Sequence, residues 1–353
     1  MRRITRIATV GIASAALALS ATACGGKKSS DTPSSDGSSA SAPGAAIAYD
    51  IGGRGDQSFN DAAYEGLQKA EKDLKVTGAE AEPTEGESEA DKVQRLTELA
   101  RKGNNPVIGV GFAYAPAIKK VAAKYPKTTF GIIDDTSVIG PNIANLVFNE
   151  EQGSYLAGVA AAKTSKTGTV GFIGGVEVPL IKKFEAGFAQ GVKDTNPNAK
   201  VLSAYLTQPP DFGGFSKPDL GKGAAKGQLD GGADVIYAAA GLAGSGAIEA
   251  ASNAGKWSIG VDSDQYNQAG LSKYKDHILT SVTKDVSDSV FNLIKSVKDG
   301  KPENGEVRYG LDKDGVGLAD SNPEYKKMAD VIAAVEKAKA DIIAKKITVK
   351  TAP

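Results

Sequence analysis

The chain has a single cysteine, Cys24, and a single histidine, His277, among its 353 residues. One cysteine cannot form a disulfide within the chain. A Ser-His-Asp triad or a zinc site would have to be built around one imidazole, without a second thiol to help. His277 precedes an apolar run and is predicted as a surface residue at a strand start. We therefore expect no catalytic residue, no metal site and no cofactor.

An excess of positive charge is also missing, because 42 Lys and Arg residues balance 42 Asp and Glu residues. A nucleic-acid-binding surface would need a net basic patch to neutralise phosphates, so no nucleic-acid partner is expected. After residue 24 no segment approaches the roughly 20 continuous apolar residues of a membrane helix.

The N-terminus carries the pattern of an export signal. The charged "MRRITR" is followed by the apolar residues 7–19, a run too short to span a bilayer. Small residues then lead to Cys24, and this segment resembles a bacterial lipobox, with Ala21 where Leu is usual. Residues 1–23 are predicted as a lipoprotein signal peptide, with Cys24 as the acylated first residue at the outer face of the membrane. Residues 24–44, rich in Ser, Gly, Ala and Pro, are predicted as a disordered tether.

From Ala45 onward, short apolar runs alternate with Gly- or Asp-rich turns and helical stretches. The runs "AAIAYDIGG", "NPVIGVGF" and "TTFGIIDD" form one series, and "GTVGFIGG", "ADVIYAAAG" and "WSIGVDSDQ" form another. Runs with little polar alternation are typical of parallel strands covered on both faces. We predict an α/β protein with two doubly wound parallel-sheet lobes. Ligands of such sheets bind beyond the carboxyl ends of the strands, here in the cleft between the lobes.

Two other kinds of site are weakly supported. "GRGDQS" has Ser58 where a dinucleotide fingerprint has its third glycine, and Asp56 in this loop would repel a phosphate. The acidic pairs Asp134–Asp135 and Asp262–Asp264 have no accompanying nucleophile or metal-ligand set.

A different group of residues follows the predicted strands or opens the helices after them. A flat ring could be held between two aromatic faces, and carboxylates and an amine could bind the hydroxyls of a sugar. This combination predicts a nucleoside ligand. The residues are Asp56, Phe59, Asn60, Asp134, Phe184, Gly241, Asp262 and Lys284.

The chain from Ile47 to about Lys350 resembles the basic membrane protein family of bacterial lipoproteins. The resemblance rests on "GDQSFNDAAYEGL", "GIIDD", "FNEEQGSYLAGVAA", "VGFIGGVEVPLIKKFEAGFAQGVK", "ADVIYAAAG", "IGVDSDQ" and "ILTSVTKDV". It implies the type I periplasmic-binding-protein fold and a purine nucleoside receptor of an ABC importer. It also implies a monomer that works with a permease and an ATPase and reaches the membrane through its lipid anchor only.

The resemblance further implies a role for each site residue. Phe59 and Phe184 would sandwich the purine, with Phe212 or Phe215 as alternatives for the second ring. Asp56, Asn60 and Asp134 would bind the base, and Asp262 and Lys284 the ribose, with help from the backbone at Gly241. Structural roles stay open for the same residues: Phe59 as a hydrophobic staple, Phe184 in its own lobe's core, the aspartates as caps or turns, and Lys284 as a solvated side chain.

The predicted lobes are residues 45–149 plus about 285–302, and 150–284 plus about 303–350. The expected hinge crossings lie near 148–150, 262–265 and 283–285. Alternative functions are a sugar- or autoinducer-binding protein of the same fold, a signalling lipoprotein, and a secreted nucleoside-processing enzyme. A sugar site would normally add Arg or several Asn, and this site offers few.

Overall fold

A computed structural model describes residues 44–353, which form one compact unit. The predicted signal peptide, Cys24 and all of the tether except its last residue lie outside the described residues. Two six-stranded sheets, each mostly parallel, form two lobes, as predicted. The strands are β1 Ala45–Ala48, β2 Gly78–Ala81, β3 Val107–Gly109, β4 Phe130–Ile133, β5 Ile143–Phe148, β6 Thr169–Val176, β7 Lys200–Thr207, β8 Val235–Ala239, β9 Trp257–Asp262, β10 Ile278–Lys284, β11 Gly305–Tyr309 and β12 Val316–Leu318.

Helices cover the faces of both sheets. They are α1 Phe59–Leu74, α2 Glu89–Arg101, α3 Ala115–Ala122, α4 Glu150–Thr164, α5 Pro179–Thr195, α6 Pro218–Asp230, α7 Gly244–Asn253, α8 Val286–Lys298, α9 Pro323–Lys326 and α10 Ala329–Ile343. α1 buries Ala63, Leu67 and Ala70, which recur at helical spacing, and it ends where Lys75 adopts a left-handed conformation. The helix begins at Phe59.

The two sheets repeat one topology. The first has the order β11-β5-β4-β3-β1-β2 and the second β12-β10-β9-β8-β6-β7, so β1, β3 and β4 correspond to β6, β8 and β9. Strand order reverses between β1 and β3 and between β6 and β8. The carboxyl ends of strands at such a reversal open a crevice for ligands. Each lobe therefore contributes one crevice to the cleft.

α4 and α5 pack closely within the second lobe, because glycines lie at their contact. A Cβ atom at Gly187 or Gly191 would come within 2.1 Å of the carbonyl oxygen of Glu151 or Tyr155. Real Cβ atoms do not approach that closely, so a larger residue at either position would push the helices apart.

Three segments connect the lobes: Asn149 between β5 and α4, Asp285 between β10 and α8, and residues 310–315 between β11 and β12. They are hydrogen-bonded together, since the Asn149 N–H donates to the Tyr309 carbonyl at 2.9 Å and the Asp285 N–H to the Gly315 carbonyl at 2.9 Å. The expected crossing at 262–265 was wrong, because that segment joins β9 to β10 inside the second sheet.

The last lobe boundary also differs from the prediction. β11 pairs in parallel with β5 and so completes the first sheet. The chain returns to the second lobe after Tyr309, and not at about 303. β12 then runs antiparallel to β10 at the edge of the second sheet.

Candidate functional site

A cavity between the lobes lies at the carboxyl ends of the central strands of both sheets. It contains about 550 Å³ of space, including the part open to solvent. The structure brings all eight predicted site residues to its wall. The wall also includes Asp50, Ile51, Gly111, Phe112, Leu180, Ile181, Phe215, Ala239 and Val261, which were not among them.

Asp56 is buried, and both oxygens of its carboxylate accept hydrogen bonds from nearby residues of the loop and of α1. One carboxylate oxygen, Oδ1, accepts from the Ser58 and Asp61 N–H groups at 2.9 and 3.1 Å. The other accepts from the N–H and the side-chain amide of Asn60, at 2.8 and 3.0 Å. Asp56 therefore caps the first turn of α1 and fixes Asn60, the capping role that the sequence left open.

Asn60 links this cap to the end of β1. Its Oδ1 accepts from the Asp50 N–H at 3.0 Å, and Asn60 is 1% exposed. Burial raises the pKa of Asp50 to about 6. Sequence reasoning missed Asp50, although its signal was present: it follows β1 as Asp134 follows β4.

Asp134 and Asp262 occupy corresponding positions in the two lobes, at the ends of β4 and β9. Both have positive φ angles, 68° and 64°, a region that is uncommon for residues other than glycine. Such strained residues cluster at functional sites. Asp134 Oδ1 is buried and has no hydrogen-bond partner among residues 44–353. Asp262 Oδ2 accepts from Ser58 Oγ across the cleft at 2.7 Å.

Lys284 is the cation at the centre of the site, and its side chain is 2% exposed. Its Nζ lies 2.5 Å from Asp134 Oδ2 and 3.8 Å from Glu150 Oε1. Burial by itself would lower the pKa of Lys284, but Asp134, Glu150 and Asp262 raise it above its ordinary value. Lys284 therefore remains protonated, and the possibility that it is a solvated side chain is wrong.

Aromatic rings from both lobes face the cavity. Phe59, the first residue of α1, lies in the first lobe, and Phe184 of α5 lies in the second. The Lys284 Nζ is 4.7 Å from the Phe59 ring centre and 5.8 Å from that of Phe184. Of the two alternatives for the second ring, Phe215 lines the cavity, whereas Phe212 is outside its wall and contacts Phe112 with ring centres 6.1 Å apart.

Gly241 follows β8 and has a φ of 53°. A Cβ atom there would lie 3.2 Å from the Phe215 carbonyl oxygen. Gly111 occupies the corresponding position after β3, with a φ of 96°. Both glycines keep side chains away from the cavity, so backbone can approach a ligand there.

The arrangement suits noncovalent recognition. It offers hydrogen-bond acceptors, one ammonium group and aromatic faces on opposite sides of one cavity. Within residues 44–353 no group of three or more His, Cys, Asp or Glu side chains is placed to hold a metal ion. In the same residues no helix is long and apolar enough to cross a membrane.

Comparisons with known proteins identify the family of the chain. A family model described as "Bmp: ABC transporter substrate-binding protein PnrA-like" matches residues 45–352. The "CD4+ T-cell-stimulating antigen" of Listeria innocua is 38% identical over 94% of each chain. The "ABC transporter nucleoside-binding protein BmpA" of Lactococcus lactis is 35% identical over 99% of each chain.

A solved structure supports the fold independently. The ABC transporter solute-binding protein from Aeropyrum pernix K1 superimposes with a TM-score of 0.76 at 28% identity, over 88% of this chain and 93% of that one. The predicted fold class and family resemblance are therefore confirmed. The chain belongs to the Bmp family of PnrA-like ABC transporter substrate-binding proteins.

Proposed function

We propose that the protein captures a purine nucleoside between its two lobes and delivers it to the permease and ATPase of an ABC importer. The observation that carries this proposal is a cavity lined by Phe59 from one lobe, by Phe184 from the other and by Lys284, whose Nζ lies 4.7 and 5.8 Å from the two ring centres. Aromatic faces bind flat heterocycles by stacking, and stacking tolerates different bases. The relative named as nucleoside-binding supports the same ligand class.

The base would lie between the two rings. The Asp134 Oδ1, buried without a partner among residues 44–353, is the acceptor for a donor on the base edge. Asn60 has one amide hydrogen left after its bond to Asp56 and can donate to a ring nitrogen or carbonyl. Asp56 contributes indirectly, by holding Asn60.

The ribose would lie toward Asp262, Lys284 and the backbone at Gly241. Asp50 also lines the cavity. Its Oδ1 accepts from the Ile51 N–H at 2.8 Å, and its Oδ2 would be a further acceptor for hydroxyl groups. Carboxylates bind hydroxyl groups more strongly than neutral acceptors do.

Capture depends on closure of the lobes about the three crossings. A ligand that contacts both lobes only when they are closed stabilises that form. The permease would then recognise the closed shape. Acylation at Cys24 would hold the protein as a monomer at the outer face of the membrane, with residues 24–44 as the tether.

The test is calorimetric titration of the full-length protein in detergent with adenosine, guanosine, inosine, cytidine and ribose. We expect binding heat with the purine nucleosides and none with ribose. A preference for ribose would instead support a sugar-binding protein of the same fold. Turnover of inosine or adenosine to free base would overturn the proposal in favour of an enzyme.

Replacing Phe59 with Ala should weaken purine nucleoside binding by roughly five- to 150-fold. Loss of one stacking face costs roughly 1–3 kcal/mol, and 1.4 kcal/mol is a factor of ten. The matched control is Phe291→Ala, because the Lys69 Nζ lies 4.7 Å from the Phe291 ring centre, the same distance as Lys284 from Phe59. Phe291 is outside the cavity wall, so its replacement should leave the dissociation constant unchanged. Normal binding by Phe59→Ala would support the staple role for Phe59.

A further inference from the structure

Hydrogen bonds join the two lobes directly, beside the cavity. The loop residues Gln57 and Ser58 of the first lobe meet residues 262–270 of the second. Ser58 Oγ donates to Asp262 Oδ2 at 2.7 Å, and Ser263 Oγ donates to the Ser58 carbonyl at 2.8 Å. The Gln57 carbonyl accepts from Gln265 Nε2 at 2.9 Å. We call these contacts, together with the bond from Gly270 described below, the closure latch.

The side-chain amide of Gln265 forms hydrogen bonds to both lobes. Its Oε1 accepts from the Val261 N–H at 3.0 Å, a bond within the second lobe. Its Nε2 makes the bond across the cleft to Gln57. Gln265 and Ser58 are 1% and 0% exposed. Separation of the lobes would remove the hydrogen-bond partners of their polar groups, which costs free energy unless water replaces them.

Gln57 has a φ of 56°, in the left-handed region that favours glycine. Its N–H donates to Asp61 Oδ2 at 2.9 Å, which holds this conformation within the first lobe. Its side-chain Oε1 accepts from the Gly270 N–H of the second lobe at 2.9 Å. A strained conformation persists where its surroundings fix it from several sides. Here the strain turns both the carbonyl and the side chain of Gln57 toward the other lobe.

We propose that the closure latch holds the lobes together independently of the ligand and positions Asp262 for it. Ser58 orients the Asp262 carboxylate only when the lobes are closed, because the two residues lie on opposite lobes. Ligand affinity is then set partly by residues that do not touch the ligand, since apparent affinity falls with the fraction of closed protein. The ligand half of this proposal rests on the proposed function, and the closure half does not.

The test variant is Gln265→Glu in the full-length chain. Glutamate keeps the acceptor for the Val261 N–H but replaces the donor to Gln57 with a carboxylate oxygen. The bond across the cleft is therefore lost, and a buried repulsion between two oxygens takes its place. The control is Asn267→Asp, the same chemical change in the same segment. Asn267 is exposed, and its amide donates within the second lobe to Asp264 and Ser321.

The first readout is hydrogen exchange of the Gly270 N–H without any nucleoside. We expect exchange in Gln265→Glu to be faster than in the unmodified chain by at least roughly twofold, the lower end of the range for one net hydrogen bond, because the repulsion adds to the lost bond. Asn267→Asp should stay within about twofold. An unchanged Gly270 rate in Gln265→Glu would overturn the latch. Faster exchange in Gln265→Glu, together with no nucleoside binding by the unmodified protein, would support the latch and contradict the proposed function.

The second readout uses Ser58→Ala, which also keeps the test available should Gln265→Glu not fold. We expect Ser58→Ala to weaken inosine binding several-fold while binding of the free base hypoxanthine changes less, because Asp262 is assigned to the ribose. Equal losses for inosine and hypoxanthine would remove the positioning role of Ser58.

Discussion

Replacing Lys284 with Met should destabilise the folded protein by about 3–5 kcal/mol, the cost of breaking a buried ion pair by removing one partner. Lys284 is the cation nearest to Asp134 and lies close to Glu150 and Asp262. Methionine is unbranched and only one heavy atom shorter than lysine, so it keeps most of the packing near the rings of Phe59 and Phe148 and the loss reports mainly the charge. Chemical unfolding of the purified chain measures the effect without any ligand.

A matched control separates burial from the ion pair itself. Lys69 Nζ lies 2.5 Å from Asp288 Oδ1, the same distance as Lys284 Nζ from Asp134 Oδ2. The side chains of Lys69 and Asp288 are both more than 40% exposed. An exposed pair contributes about 0–1 kcal/mol, so Lys69→Met should change the free energy of unfolding little. Equal losses of unfolding free energy in the two variants would mean that burial does not increase the contribution of the Lys284–Asp134 pair to stability.

The loss in Lys284→Met should also depend on pH. Burial raises the pKa of Glu150 to about 7 even with Lys284 nearby, and removal of the cation raises it further. An acid with a raised folded-state pKa holds its proton in the folded state above the ordinary value of 4.5, so stability falls as pH rises through that window. We expect the difference between variant and unmodified chain to be smallest near pH 4.5 and largest above pH 7.

The central strands and the site could be predicted because they follow local rules. β1, β3 and β4 are buried along their whole length and show no polar alternation, the pattern of covered parallel strands. Asp134, Asp262 and Lys284 could be picked out because each ends a strand and ligands bind at that edge. The rule that ligands bind at the carboxyl ends of parallel strands therefore predicted both the position of the cleft and several polar residues that line it.

The sheet edges could not be predicted in the same way. β2 has the sequence GAEA, with low strand propensity and partial exposure, and β12 has only three residues. β11 joins the first sheet through its register with β5, from Gly305 against Ala144 to Tyr309 against Phe148. Such pairing over long sequence separation leaves no local signal, and this is why the third crossing was misplaced.

The role of Asp56 shows a different limit. An aspartate before a helix is favoured both as a cap and as a ligand residue, so residue type alone does not decide. The four hydrogen bonds to its carboxylate come from within the loop and the first turn of α1, and they decide it. The latch residues Gln57 and Gln265 are 208 positions apart and only the folded chain brings them together.

Replacing Asp134 with Asn should remove the protein's ability to recognise a donor on the purine edge. Asn adopts left-handed backbone more readily than most residues, so the φ of 68° is preserved. A hydrogen bond to a charged group contributes about 1.5–3 kcal/mol, which is roughly ten- to 150-fold in affinity. Inosine has an N1–H donor on its six-membered ring, and purine riboside has no donor there.

The unmodified protein should therefore bind inosine at least about tenfold more tightly than purine riboside, and Asp134→Asn should abolish that difference. The comparison cancels the second effect of the substitution, loss of the ion pair with Lys284, because both ligands carry the same ribose. Asp135→Asn is the control, since Asp135 Oδ1 accepts from the Ser137 N–H and Oγ in a neighbouring turn and asparagine keeps that acceptor. Should Asp134→Asn still prefer inosine as strongly, the Asp134 carboxylate would not face the base, and the base would have to bind with its edge toward Asn60.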